Sequence, residues 1–374
     1  MLILLIYICC CFFCEGRSEE LSCSRTPFGI TPEGGEVYAY CLKSKSMEVT
    51  IINYGASVQR IRVDDRYGKR RDVVLGHRSL DGYLSKKGYF GCVVGRYANR
   101  IEGGSFVLNG KNYQLSKNNS GNTLHGGNQG LSHKLWRGTM FETKDSIGVI
   151  LEFTSPHLDE GFPGELKCQV VYSLKKKNCL SIAYHVTSDR PTVVNLTNHT
   201  YFNLYDGGRT NIWQHKLKIF ASKYTPVDEN MIPTGHIKSI YESPFDFSKL
   251  SLMGEMFDLT NHQIKIAKGY DHNFVLSREK AKHDKLMLAT ILQEDRSGIT
   301  LQVYTTEPGV QIYTANYLDG TISNWDGGYY PQYGGVTFET QHFANSPNIP
   351  SFPSTTITPD QPFKSVTQWR FFMD

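Results

Sequence analysis

From about residue 35 onward, apolar and polar positions alternate in short runs, the two-residue period of half-buried strands. Phe106 to Leu108 and Tyr113 to Leu115 flank Asn109-Gly110, a dipeptide suited to the positive φ angles of a tight hairpin turn. Ile147 to Ser155, Leu166 to Leu174 and Leu180 to Ser188 have the length and the β-branched, aromatic content of strands. Leu286 to Leu292 and Ile299 to Thr305 bracket the turn Asp295-Arg296-Ser297-Gly298, and the alternation resumes from Val310 to Leu318. Nowhere is a helical period sustained for three turns, so helices are expected only as short connectors. The pattern predicts an all-β fold, a large antiparallel sandwich or barrel. No Pro-, Gly- or Ser-rich linker interrupts it, so residues 25–374 are expected to form a single domain.

Several strands carry residues that break the apolar pattern with chemically capable groups. The run Asn195 to Leu204 reads as one buried strand, yet it holds His199 among β-branched, aromatic and amide neighbours. A histidine there is either a satisfied core residue or a proton donor and acceptor near neutral pH. Asn99 and Arg100 follow a glycine-flanked strand from Gly91 to Gly95, and His125 stands against Gly126 and Gly127. Those glycines permit close approach of backbone to a ligand. Asp271 and His272 precede an apolar run, and Glu339 ends an alternating strand. Each also has a plainer reading: Arg100 as a surface charge, His125 as a turn histidine, Asp271 as a turn former, Glu339 as a solvent-facing carboxylate. Together with the many aromatics they suit proton transfer on a neutral polyhydroxylated ligand. No Walker loop, Gly-x-Ser-x-Gly elbow or His-Glu-x-x-His motif occurs.

Composition adds limits. Tyrosine (22), phenylalanine (20) and glycine (34) are plentiful, which fits strands joined by tight turns. A formal net charge of only +4 gives no reason to expect nucleic acid as a partner. Leu2 to Cys14 form an apolar run of 13 residues, too short to span a bilayer but suited to the core of a secretory leader. Residues 1–18 are therefore expected to be a signal peptide, cleaved near 16–18, with the mature chain secreted and not stably bound to membrane. Five cysteines would remain, Cys23, Cys41, Cys92, Cys168 and Cys179. Their spacing defines neither a disulfide framework nor a zinc site, and at most one or two bridges are expected. Of the sequons at Asn118, Asn195 and Asn198, the first lies in the polar stretch Lys117 to Gly121. Asn118 is therefore the expected glycosylation site, in an exposed loop.

In order along the chain, these residues resemble the aldose 1-epimerases (galactose mutarotases). The likeness runs from about residue 28 to about residue 350. It is carried by Asn53-Tyr54-Gly55-Ala56, Asp72 to Gly76, Gly95 to Ile101, Asn122 to Gly127 and Glu160 to Gly164. Asn195 to Leu204, Tyr224 to Asp228, Ile232 to Gly235, Gly269 to Asn273, Pro308 to Tyr313 and Phe338 to Gln341 continue it. The resemblance implies an antiparallel β-supersandwich that binds a free monosaccharide, galactose or glucose, without metal or cofactor, as a monomer or weak dimer. It implies Glu339 as general base on the anomeric hydroxyl and His199 as general acid on the ring oxygen. Asn99, Arg100 and His125 would hold oxygens near the reacting carbon, Asp271 a more distant hydroxyl, and Gln311 would line the site. At ordinary pKa values Glu339 would be ionised, and its charge would raise that of His199. Ser323 to Gly335, with Trp325 and Asp326, departs from the family pattern and is expected to alter the cleft rim. A glycoside hydrolase, a hexose-phosphate epimerase and a non-catalytic carbohydrate-binding protein are the alternatives.

Overall fold

The computed structural model describes residues 21–85, 88–277 and 285–373, so the expected leader at 1–18 lies outside the described residues. Local turn chemistry produces the hairpins. Asn109 and Gly110 take φ of 51° and 75°, which places Leu108 opposite Lys111 and pairs Ser105–Leu108 with Lys111–Gln114. Glu294 faces Ile299 across the second turn, where its carboxylate accepts the Ser297 N–H at 2.7 Å.

The first hairpin forms a two-stranded sheet of its own, whereas the second belongs to a nine-stranded antiparallel sheet. Its order is Arg137–Glu142, Ser146–Ser155, Leu166–Lys175, Cys179–Ser188, Phe363–Met373, Ile299–Thr305, Met287–Glu294, Lys216–Ile219, Ser251–Leu252. A five-stranded meander, Ser22–Ile30 to Arg70–Asp72, and a six-stranded sheet complete the larger layers. The main apolar cluster draws on residues from Tyr40 to Phe371 and joins all three. The described α-helices are three short connectors, Leu80–Leu84, Met253–Met256 and His262–Ala267, as the missing helical period requires. Cys168 faces Val186 and Cys179 faces Lys175, and all five described cysteines are free thiols.

The six-stranded sheet carries the chemistry. Its order is Tyr201–Phe202, Val336–Gln341, Gly309–Tyr313, Asp271–Leu276, Ala221–Thr225, Lys238–Ser239. One rung aligns Asn273, Gln311 and Glu339, and the rung two positions away aligns Asp271, Tyr313 and Thr337, with His272, Ile312 and Phe338 between them. Facing residues on one rung share a face of the sheet, and that face recurs every second rung, so Asp271, Gln311 and Glu339 project together.

Two expected strands differ. The alternation from Val310 to Leu318 stops as a strand at Tyr313, because Ala315 adopts a φ of 53° and turns the backbone out of the ladder. Asn195 to Leu204 is not one strand. Thr197–Asn198 pairs with Val93–Val94, and Tyr201–Phe202 pairs with the beginning of Val336–Gln341. Between them the Asn198 side chain accepts from the Thr200 N–H at 2.9 Å and from its hydroxyl at 2.6 Å. That local bond replaces ladder pairing and hands the chain from one sheet to another at His199.

Candidate active site

Glu339 sits in a strand buried along its whole length, and His199 at the crossing just described. His199 Nε2 lies 3.6 Å from Glu339 Oε1, which also accepts from the Thr337 hydroxyl at 3.3 Å. Tyr201, Tyr89 and His125 pack their rings around the imidazole at 4.9, 5.7 and 5.4 Å. His199 Nδ1 and Glu339 Oε2 are buried without a hydrogen-bond partner. An orphaned buried polar atom costs about 1–3 kcal/mol, so this pair has bonding capacity that a ligand could complete.

Burial reverses the protonation expected from ordinary pKa values. Desolvation pushes His199 down to about 4. Desolvation first, and then the Asp271 carboxylate, push Glu339 up to about 8. The expectation of an ionised Glu339 beside an up-shifted His199 is therefore corrected: neither ion is welcome in so dry a place. Between those limits the pair holds one proton, which rests on Glu339 when the site is empty.

The pair opens into a cavity of about 550 Å³ whose walls include Asn99, Arg100, His125, Asp271, Tyr313 and Tyr317. His125 Nδ1 accepts the Asn99 N–H at 3.1 Å, which leaves the ring proton on Nε2. Burial first, then His199 and Arg100, hold the His125 pKa well below the usual histidine range, so it presents a neutral N–H donor. His125, His199 and Glu339 bring potential metal-ligating atoms within 4.8 Å of one another, but a protonated Nε2 offers a hydrogen rather than a lone pair. Arg100 reaches Asp271 at 3.7 Å and donates its Nε–H to the Asn119 side chain at 3.0 Å.

Of the residues expected in the site, His199, Glu339, Arg100, His125 and Asp271 converge on this cavity. Asn99 reaches it too, but its side-chain oxygen accepts the Arg100 N–H and its backbone fixes His125. Gln311 stands behind Asp271, donating to its Oδ1 at 2.6 Å, and acts through that carboxylate. Burial raises the Asp271 pKa against the opposing pull of Arg100 and Gln311.

Other expectations need correction. Asn118 is half-buried, and its side-chain amide makes three hydrogen bonds to the backbone of Leu124 and Gly127, so it is not a free acceptor on an exposed loop. Asn195 and Asn198 are buried and bonded as well. The departing segment does not build the rim either. Trp325 donates to the Val74 carbonyl at 2.9 Å and Tyr330 to that of Gly76 at 2.8 Å, so their rings pack beneath the meander. Tyr317, Met231, Asn230 and Lys268 line the cavity instead, and the Lys268 ammonium stands 5.5 Å from the Tyr317 ring centre. These residues and Asn119 were not read from the sequence. Only the general abundance of tyrosine and polar loop residues pointed toward them.

A larger cavity of about 800 Å³ lies against the paired strands Cys179–Ser188 and Phe363–Met373, walled also by Thr306, Glu307, Pro308, His342 and Pro353. Its acidic group, Glu307, is already closed on His342 at 2.6 Å. The smaller cavity is the active-site candidate because an acid, a base and fixed donors converge there.

The chain is similar to known proteins over nearly its whole length. The family model described as aldose 1-epimerase matches residues 38–370. The galactose mutarotase of Mus musculus is 42% identical over 352 residues, covering 94% of this chain and 99% of that protein. The aldose 1-epimerase of Escherichia coli is 34% identical over 354 residues, covering 94% and 99%. Among solved structures, galactose 1-epimerase from Lactobacillus acidophilus superimposes with a TM-score of 0.83 at 27% identity, covering 95% of this chain and 99% of that one.

Proposed function

The chain belongs to the aldose 1-epimerase family, and from that premise we propose that its His199–Glu339 pair opens and recloses the ring of a free hexose. The reaction is the interconversion of α and β anomers, and the chain is an isomerase. The observation that carries the assignment of roles is the 3.6 Å approach of His199 Nε2 to Glu339 Oε1 inside a buried, donor-lined cavity. Ring opening starts from the protonation isomer with the proton on His199. Glu339 takes the hydrogen of the anomeric hydroxyl while His199 gives its proton to the ring oxygen. The C1–O5 bond breaks, and C1 becomes an aldehyde. Glu339 now holds a proton and His199 none, the distribution that burial favours in the empty site. Rotation about C1–C2 presents the other face of the carbonyl. Closure then runs the two transfers backwards: His199 takes the proton of the C5 hydroxyl, and Glu339 returns one to the carbonyl oxygen. One shared proton thus serves both halves.

His125 supplies an N–H, and Arg100 a guanidinium, to oxygens near the reacting carbon. Asp271, braced by Gln311, accepts from a hydroxyl farther away. The test is polarimetry of freshly dissolved α-galactose and α-glucose. The expected result is accelerated relaxation of the free sugars and no cleavage of methyl glycosides. Free sugars that relax at the uncatalysed rate, or glycosides that are hydrolysed, would overturn it.

The apolar run Leu2 to Cys14 supports secretion after removal of a leader, and the mature chain is proposed to act as a monomer or weak dimer without stable membrane association. Mature protein found only in the cell lysate with Met1 intact would contradict secretion. A stable higher oligomer in sedimentation would contradict the assembly state.

A further inference from the structure

His125, Gly126 and Gly127 take φ of 50°, 87° and 97°, a left-handed run that is uncommon for a residue other than glycine. A side chain at Gly126 would place its Cβ 1.9 Å from the Gly95 carbonyl oxygen, so the turn presses directly on neighbouring backbone. What holds the turn on its other side is Asn118. Its Oδ1 accepts the Leu124 N–H at 2.7 Å, and its Nδ2 donates to the carbonyls of Leu124 and Gly127, each at 3.0 Å. One amide therefore ties the residue before His125 to the residue two beyond it. Asn119, next in the chain, accepts from Arg100. The two asparagines lie in a small hairpin whose backbone N–H groups both bond the Asn122 carbonyl, at 3.1 Å each.

We propose that Asn118 is a positioning residue for His125, that its amide fixes the left-handed turn aiming Nε2–H into the cavity, and that this duty is incompatible with a glycan at its sequon. The proposal rests on reading His125 as a donor to the sugar. N-glycosylation replaces one Nδ2 hydrogen with a bond to a sugar carbon. Both hydrogens are in use here, so a glycan would break the bond to Leu124 or to Gly127 and set a bulky group against the turn.

A double-mutant cycle on kcat/KM for mutarotation tests this, using Asn118→Ala, His125→Asn and the pair. Misplacing a substrate donor by about 1 Å can cost up to ~10²-fold, so each single change is expected to lower kcat/KM by about 10- to 10²-fold. The double variant should be no worse than His125→Asn alone. His125→Asn at the wild-type rate would contradict the reading of His125 itself. A wild-type rate for Asn118→Ala beside an impaired His125→Asn would overturn the positioning role, and so would losses that multiply. Should Asn118→Ala fail to fold, Asn118→Asp keeps the acceptor for the Leu124 N–H, removes both donors and serves the same comparison. Mass spectrometry of protein from a glycosylating host is expected to show Asn118 unmodified in the active fraction. Full activity with a glycan there would overturn the incompatibility.

Discussion

Between His199 Nε2 and Glu339 Oε1 lie 3.6 Å, and at each end of that gap stands a group whose proton affinity burial has moved away from its ordinary value, toward the neutral form. His199 gains a proton only below about 4, and Glu339 loses its own only above about 8. The singly protonated pair therefore spans that window, and kcat/KM is expected to fall on both sides of it. Asp271 is the charge that helps burial raise Glu339. Replacing it by a neutral amide, Asp271→Asn, should move the upper limb of the pH–rate profile to lower pH, besides weakening sugar binding. An upper limb that stays in place or moves upward would contradict this electrostatic account. Residue types were legible in the sequence: His199, Glu339, Arg100, His125 and Asp271 all stood out as chemically capable groups within or beside the expected strands. Their protonation was not legible, because the sequence shows which charges are present and not how dry their surroundings are. Gln311 shows the same limit: its amide was legible, but its position behind Asp271 depends on the pairing of two strands 40 residues apart.

Among the elements, hairpins declared themselves through local chemistry, as Asn109-Gly110 and the Asp295 to Gly298 turn illustrate. The crossing at His199 did not, since an Asn198 side chain that bonds two residues ahead looks the same in sequence as one that faces a neighbouring strand. The motif Gly95 to Ile101 hides a second such case, because its two arginines have different duties. Arg100 faces the sugar cavity, whereas Arg96 is buried and donates to Ser155 Oγ at 2.9 Å and to the carbonyls of Ser155, Pro163 and Gly164 at 2.8, 3.1 and 2.8 Å. That side chain staples the loop from which Glu160 accepts the N–H groups of Asn128 and Gln129, each at 2.9 Å, just after the His125 turn. Arg96→Met leaves several buried carbonyls without donors, so a stability loss of about 3 kcal/mol or more is expected. Urea unfolding would measure it, and a loss under about 1 kcal/mol would show the staple to be dispensable.

For the whole molecule, the antiparallel class and the scarcity of helix followed from the two-residue period. The partition into nine-, six- and five-stranded sheets did not. It depends on pairings such as Cys179–Ser188 with Phe363–Met373, between segments far apart in sequence. Only that arrangement brings His199, from a crossing in the middle of the chain, against Glu339 from a late strand. The central claim is that these two side chains pass one proton to and from the sugar. It is tested most directly by polarimetry of α-galactose with Glu339→Gln and His199→Asn, alongside circular dichroism to confirm the fold. Each proton-transfer group typically contributes about 10²- to 10⁴-fold, so each variant should lose at least ~10²-fold in kcat. Either variant relaxing galactose at the wild-type rate would contradict the account.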